Sequence, residues 1–96
     1  MSKSSDDRTV AIEGRITVNN SDEMRRKLLA ALRSGPAQVT VDLSQAIYMD
    51  LSGLATLLES VCIARKQKTR LVLAGVSGQP RSLFQIGQLE SLFEFS

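Results

Sequence analysis

The residues best suited to chemistry lie in one short segment, which reads Met-Asp-Leu-Ser-Gly-Leu over Met49–Leu54. Its serine, Ser52, precedes an apolar pattern with helical spacing, so the hydroxyl should lie in or just before the first turn of a helix. A hydroxyl or a carboxylate at such an end can bond the backbone N–H groups that the helix leaves without a partner. Ser52 and Asp50 therefore have two interpretations, as simple helix caps or as a site that another molecule recognises.

The residues around Ser52 are those of a possible protein-binding surface. Gly53 has no side chain, so the active site of another protein could approach Ser52 closely. In α/β folds, ligands gather at the carboxyl ends of strands and at the helix N-termini beside them. Leu51 is either an exposed apolar anchor or a core residue, and both interpretations stay open. The predicted surface comprises Asp50, Leu51, Ser52, Gly53 and Leu54, joined by the turn Asn19, Asn20, Ser21 and Asp22.

The composition excludes several kinds of catalytic and metal site. The chain has no histidine, which removes Ser-His-Asp and Cys-His catalytic groups and histidine-ligated metals. It also lacks the glycine-rich loop ending in Gly-Lys that cradles phosphates, although nucleotide binding at the same helix end stays open. We therefore predict a binding module with no catalytic residue, no metal and no cofactor, rather than an enzyme with Ser52 as its nucleophile.

Charge and hydropathy narrow the possible partners. The net charge is only +2 and there is one Tyr and no Trp, so nucleic acid is not expected. No stretch approaches the about 20 apolar residues of a membrane span, and the polar N-terminus does not resemble a signal peptide. We therefore expect a cytoplasmic protein without membrane insertion, whose oligomeric state stays open. The single cysteine, Cys62, excludes an internal disulfide and is interpreted as a small buried hydrophobe on a helix.

Apolar periodicity predicts strands that alternate with helices. Gly14 separates the first two strands and indicates a turn or bulge, so one interpretation of this pair is an antiparallel hairpin. The segment Ser44–Asp50 is interpreted as a connection. The predicted strands are Thr9–Glu13, Arg15–Val18, Gln38–Leu43 and Leu71–Ala74; the predicted helices run from Asn20 or Ser21 to Ser34, from Ser52 to Lys66, and from Pro80 to Gly87.

Strands separated by helices imply parallel pairing with right-handed crossovers. With 96 residues, of which 43% are hydrophobic, the chain can build one core. We predict a flexible tail over residues 1–8 and a single domain over residues 9–96. Phe84, Phe93 and Phe95 are expected in the core of that domain.

Several pieces of the chain, in order, resemble the STAS family, which is named for sulfate transporters and anti-sigma-factor antagonists. The resemblance extends from about Val10 to Phe93, which makes it far more specific than the short Asp-x-Ser-Gly motif alone. The pieces are Gly14, Val39–Ser44, Met49–Leu54, Leu71–Val76 and Leu89–Phe93.

The resemblance implies a single-domain α/β fold of STAS type, with a mixed, mostly parallel sheet of four to five strands and helices packed against it. In the antagonist branch, the serine before the glycine accepts a phosphoryl group, and that position here is Ser52. The implied partners are an anti-sigma factor that is also a serine protein kinase, which binds the unphosphorylated protein, and a serine phosphatase. Phosphate at a helix N-terminus should leave the fold intact, since free N–H groups and the helix dipole favour an anion.

The chain departs from the family pattern at three places. Leu51 replaces the small hydroxyl residue that usually precedes the phosphoacceptor, and Thr17 stands where many members have aspartate near the partner-binding end. The chain also stops at Ser96, where many members continue into a further helix.

Two other roles within the STAS family fit the sequence. One is a regulatory subunit of a lipid-transport ABC complex, which would bind the ATPase and need no phosphorylation. Ser52 argues mildly against this role, because members of that branch tend to have Thr or Ala near its position. The other is a scaffold in a stress-sensing assembly, although such proteins usually carry an N-terminal sensory domain.

Overall fold

The computed structural model describes residues 7–96, which fold into two parallel β-sheets and three α-helices. The strands are β1 (Asp7–Ala11), β2 (Gly14–Ile16), β3 (Gln38–Asp42), β4 (Ala46–Met49), β5 (Arg70–Ala74) and β6 (Glu94–Phe95), and the helices are α1 (Ser21–Arg33), α2 (Leu51–Lys66) and α3 (Gly78–Ile86). A short 3-10 turn covers Glu90–Leu92. The predicted tail lies mostly outside this range, but its last residues, Asp7 and Arg8, begin β1.

The larger sheet has the strand order β1-β3-β5-β6, and β2 pairs with β4 in a second sheet. Each strand pair within residues 7–96 is parallel, which confirms the predicted α/β class and replaces the expected mixed pairing. The crossovers through α1 and α2 allow the strands on either side of each helix to run in the same direction. They place the carboxyl ends of β2 and β4 beside the helix that follows each strand.

The antiparallel hairpin considered for the first two strands is wrong. The chain does not reverse at Gly14 (φ +77°) but bends, and it stays beside the β3–β4 segment. The Ile12 N–H donates to the Asp42 carbonyl (3.0 Å) and the Gly14 N–H donates to the Gln45 carbonyl (2.9 Å). Gly14 allows this bend because it adopts a positive φ without the cost that a β-carbon adds.

Sequence periodicity missed β4, which lies within the segment interpreted as a connection. The strand has four residues, and its burial does not alternate: Ala46 and Met49 are buried, whereas Ile47 is 65% exposed and Tyr48 is half-buried. A period of two cannot be recognised in so short and irregular a pattern. The strand matters because it leads directly into Asp50 and Ser52.

The core lies between the sheets and the helices and contains the predicted aromatic cluster. Phe84 is completely buried and meets Phe93 and Phe95 edge to face, with ring centroids 5.1 and 5.5 Å away. Such contacts add to the free energy gained from burial. They fix the C-terminal segment against α3, which confirms that these side chains belong to the core.

The interpretation of Cys62 as a buried residue is wrong, because its side chain is exposed. The buried stripe of α2 follows a three- and four-residue spacing through Leu54, Leu57, Val61 and Ala64. Cys62 falls beside that stripe, on the solvent side of the helix.

Candidate functional site

Helix α2 begins immediately after β4, and Asp50 is its N-cap. The Asp50 Oδ1 atom accepts hydrogen bonds from the backbone N–H of Ser52 (2.9 Å) and of Gly53 (3.3 Å). The Asp50 carbonyl accepts the first helical bond from the Leu54 N–H. Asp50 therefore caps the helix, as predicted, and stabilises N–H groups that have no other partner in the helix.

Ser52 lies in the first turn of α2 and is half-buried. Its hydroxyl donates a hydrogen bond of 2.5 Å to Asp50 Oδ1. The prediction that this hydroxyl caps a backbone N–H is wrong, because Asp50 takes that role. The side chain instead stands at the rim of the domain with its proton directed to a carboxylate.

A loop before α1 is attached to the same carboxylate. The Val18 N–H donates to Asp50 Oδ2 at 3.1 Å, and the Asp50 N–H donates to the carbonyl of Ile16 at 3.0 Å. Asp50 therefore joins the end of β2, the following loop and the start of α2. The loop that leads into α1 is thereby attached to the residue that caps α2.

Asn20 occupies the N-cap position of α1, and its side chain closes that loop. Its Oδ1 atom accepts from the Thr17 N–H (2.8 Å), and its Nδ2 donates to the Arg15 carbonyl (2.8 Å). The Thr17 hydroxyl accepts from the Asn19 N–H (3.2 Å). Asn20 is the N-cap residue of α1, as predicted, and its carbonyl accepts from the Met24 N–H, but its side chain makes no capping hydrogen bond to the helix. Asp22, in the first turn of α1, is exposed.

Two large apolar side chains flank Asp50 and are open to solvent. Leu51, which follows Asp50 in the chain, is 72% exposed, and Val18, whose amide bonds the carboxylate, is 73% exposed. The exposure of Leu51 excludes the interpretation of this residue as part of the core. The strand predicted for Arg15–Val18 ends at Ile16 in the structure, and the Val18 side chain points away from the core. We use the term Ser52 surface for Val18, Asn19, Asp50, Leu51 and Ser52.

Gly53 and Leu54, which belong to the predicted surface, are buried beneath it. A β-carbon on Gly53 would lie 2.7 Å from Ile16 Cγ2 and 2.7 Å from Met49 Cγ. Gly53 therefore lets α2 approach β2 and β4 closely. Its small size serves this internal contact, which the sequence did not reveal.

We expect Gly53→Ala to destabilise the domain by about 1–3 kcal/mol, as overpacking does. Helix propensity alone would favour alanine by about 1 kcal/mol. The contact distance decides between the two effects, because Ile16 and Met49 are themselves buried and cannot move aside freely. Urea unfolding measures the difference, with Ala55→Gly on the exposed side of the same helix as the control. A more stable Gly53→Ala variant would contradict the packing argument.

The hydrogen bonds around Asp50 lower the pKa of its carboxyl group. The largest cause is the Ser52 hydroxyl, followed by the backbone N–H groups of Gly53, Ser52 and Val18. These donors stabilise the ionised form, so their contribution to folding is present above the unfolded-state pKa of about 3.9. It is lost as the pH falls through the lower pKa of the folded state.

We expect Ser52→Ala to raise the pKa of Asp50 towards its ordinary value, because the substitution removes the strongest donor. Carbon-13 NMR titration of the carboxyl groups measures this change. The control is Asp42, whose pKa is lowered by the Ser44 backbone N–H and should stay the same in the variant. An unchanged Asp50 pKa would mean that the hydroxyl does not donate to it in solution.

Within residues 7–96, no cluster of three or more His, Cys, Asp or Glu side chains could hold a metal ion. Over the same part of the chain, none of the helices has the length and apolar character needed to cross a membrane.

Comparisons with known proteins identify the family and the fold. A family model described as "Mlab, STAS domain" matches residues 1–94. The fold is similar to that of the anti-sigma factor antagonist SpoIIAA in its unphosphorylated form, with a TM-score of 0.70 and 19% identity over 92% of this chain and 76% of that one. It is also similar to a sulfate transporter family protein from Wolinella succinogenes, with a TM-score of 0.75 and 20% identity over 95% of this chain and 77% of that one.

A third similar structure is a protein from Thermotoga maritima named as a candidate anti-sigma factor antagonist. Its TM-score is 0.82 and its identity is 12%, over 95% of this chain and 79% of that one. At such identities the structures establish the fold alone. The family model, in contrast, spans nearly the whole sequence and confirms the resemblance found in its motifs. The chain therefore belongs to the STAS family, in the group described as Mlab.

Proposed function

We propose that this protein is an anti-sigma-factor antagonist, a binding module rather than an enzyme. In this proposal the unmodified protein binds an anti-sigma factor that is also a serine kinase, and the kinase releases it by phosphorylating Ser52. A serine phosphatase restores the unmodified form, and the exchange takes place in the cytoplasm. The observation that carries the proposal is the position of the Ser52 hydroxyl, half-buried at the rim beside the exposed Leu51.

The Ser52 surface has the composition of a small docking site. Leu51 and Val18 offer apolar area, and the ionised Asp50 between them is already bonded to the protein's own N–H groups. Apolar anchors surrounded by polar groups are typical of the energetically important part of an interface. A partner that covers the two side chains therefore also covers the Ser52 hydroxyl.

Phosphorylation of Ser52 would change the electrostatics of this surface. A phosphoserine carries about −1.5 to −2 charges at neutral pH. The free N–H groups that were expected to receive it are not available at Ser52 and Gly53, because both donate to Asp50. The phosphate would lie next to the carboxylate as a second anion, and it would replace the hydroxyl proton that now bonds Asp50. The added charge therefore faces the partner.

The proposal is tested by incubating the protein with ATP and its cognate serine kinase and locating the phosphate by mass spectrometry. We expect one phosphate, on the peptide that contains Ser52, and none on the Ser52→Ala variant. Ser82→Ala is the matched control, since Ser82 is an exposed serine on another helix and should not affect the reaction. Phosphate at another residue, or no phosphate with each candidate kinase, would contradict the proposal.

A second candidate function is the regulatory subunit of a lipid-transport ABC complex. The observation in its favour is that Leu51 and Val18 are exposed without any modification, while the Ser52 hydroxyl already has a structural partner in Asp50. In that case Ser52→Ala and Ser52→Asp would bind an ABC ATPase equally well in a pull-down. Binding to a serine kinase that only Ser52→Asp disrupts would favour the antagonist role instead.

A further inference from the structure

Helix α3 holds the free edge of β4 through one side chain. The Gln79 Oε1 atom accepts from the Met49 N–H (2.8 Å), and the Gln79 Nε2 donates to the Met49 carbonyl (2.9 Å). The opposite edge of β4 is paired with β2. The side-chain amide thus makes the two hydrogen bonds that a neighbouring strand would make with this residue.

Met49 immediately precedes Asp50, the N-cap of α2, so the position of the Met49 backbone determines the position of Asp50. The peptide group between Met49 and Asp50 is bonded on both sides, through its carbonyl to Gln79 and through its N–H to the Ile16 carbonyl. Met49 is completely buried. Its backbone groups would therefore lack partners if the amide of Gln79 were removed, which is costly in a protein interior.

We propose that Gln79 is a positioning residue for the phosphorylation of Ser52. It acts through Met49 and Asp50, since Asp50 Oδ1 accepts from the Ser52 hydroxyl. In the kinase, the oxygen of this hydroxyl gives up its proton and bonds the γ-phosphorus of ATP, while the bond to the β-phosphate breaks and ADP leaves. Catalysis of group transfer depends on holding the reacting atom in place, and small displacements slow it strongly. This inference rests on the proposed function, and it adds a residue on a separate helix, 27 positions along the chain, to the two that the local motif identifies.

The experiment compares Gln79→Leu, which has a similar size and no hydrogen-bonding groups, with Gln85→Leu. Gln85 is exposed on the same helix and serves as the matched control. The first readout is kcat and KM for phosphorylation of each variant by the cognate kinase, well below the unfolding temperature. The second is hydrogen exchange of the Met49 amide. We expect Gln79→Leu to lower kcat by about tenfold with little change in KM, and to speed the exchange by about tenfold.

A second variant keeps the test informative if Gln79→Leu fails to fold. Glutamate in Gln79→Glu retains an acceptor for the Met49 N–H but offers no donor to the Met49 carbonyl at neutral pH. We expect it to lie between the unsubstituted protein and Gln79→Leu in both readouts.

The experiment distinguishes a failure of the proposed function from a failure of this inference alone. No phosphorylation of the unsubstituted protein would overturn the proposed function, and the role in phosphorylation with it. Normal phosphorylation of both Gln79 variants would overturn the inference alone, as would an unchanged exchange rate at Met49. Equal slowing in Gln85→Leu would show a general effect of α3 and would also overturn it.

Discussion

Phosphorylation of Ser52 is expected to weaken binding of the partner kinase by about two to three powers of ten. A like-charge or unpaired buried charge at an interface costs several kcal/mol, and each 1.4 kcal/mol is about a tenfold change in Kd. In this protein the cost would arise within the Ser52 surface, because the phosphate would lie beside the ionised Asp50 and next to the exposed Leu51. Its charge must then be covered by whatever packs against that leucine.

Isothermal titration calorimetry with the unmodified and the phosphorylated protein measures this difference. Ser52→Asp should weaken binding in the same direction, and Ser52→Ala should bind like the unmodified protein. Thermal unfolding of each form is the control, because a lower affinity caused by partial unfolding would appear there as a lower Tm. Equal affinity of the phosphorylated and unmodified forms, with both folded, would remove the electrostatic basis of the proposed switch.

Phe84→Ala is expected to lower the free energy of unfolding by about 3–5 kcal/mol. The side chain is completely buried and makes edge-to-face contacts with Phe93 and Phe95, so its removal leaves a cavity and detaches the C-terminal segment from α3. Domains of this size are stable by about 5–15 kcal/mol in total, so the loss is a large part of the whole.

Ile86→Ala is the control for Phe84→Ala, because Ile86 lies on the same helix and is 82% exposed. We expect it to change the stability by no more than about 0.5 kcal/mol. Urea unfolding followed by circular dichroism measures both variants. Similar losses for the two would mean that the aromatic cluster is not the contact that fixes the C-terminal segment.

The position of Ser52 could be predicted from sequence because it depends on local chemistry. The helix that starts there has a clear apolar period, and Asp50 is a favoured capping residue. The alternation of strands and helices also determined the parallel class of the fold. These are features of neighbouring residues, which a single sequence displays directly.

The remaining features depend on residues that are distant in the chain. Val18 is exposed because β2 ends early and Asp50, 32 positions away, bonds its amide. Position 53 requires glycine because Ile16 and Met49 pack closely against it, and these residues approach it only in the folded protein. Gln79 meets Met49 through an amide pairing that leaves no periodic signal in the sequence. Apolar periodicity does not indicate contacts between residues so distant in the chain, and they become visible only in the structure.

The outer strand of the larger sheet has a consequence for how the protein behaves at high concentration. Strand β1 lies at one end of the order β1-β3-β5-β6, so one row of its backbone groups has no neighbouring strand within that sheet. Such rows invite other chains to add to them, and charged side chains or an abrupt bend are common protections. Here Asp7 and Arg8 place both signs of charge at its start, the strand is only five residues long, and the chain bends at Gly14 soon after it ends. Self-association into extended fibres through this edge is thereby disfavoured.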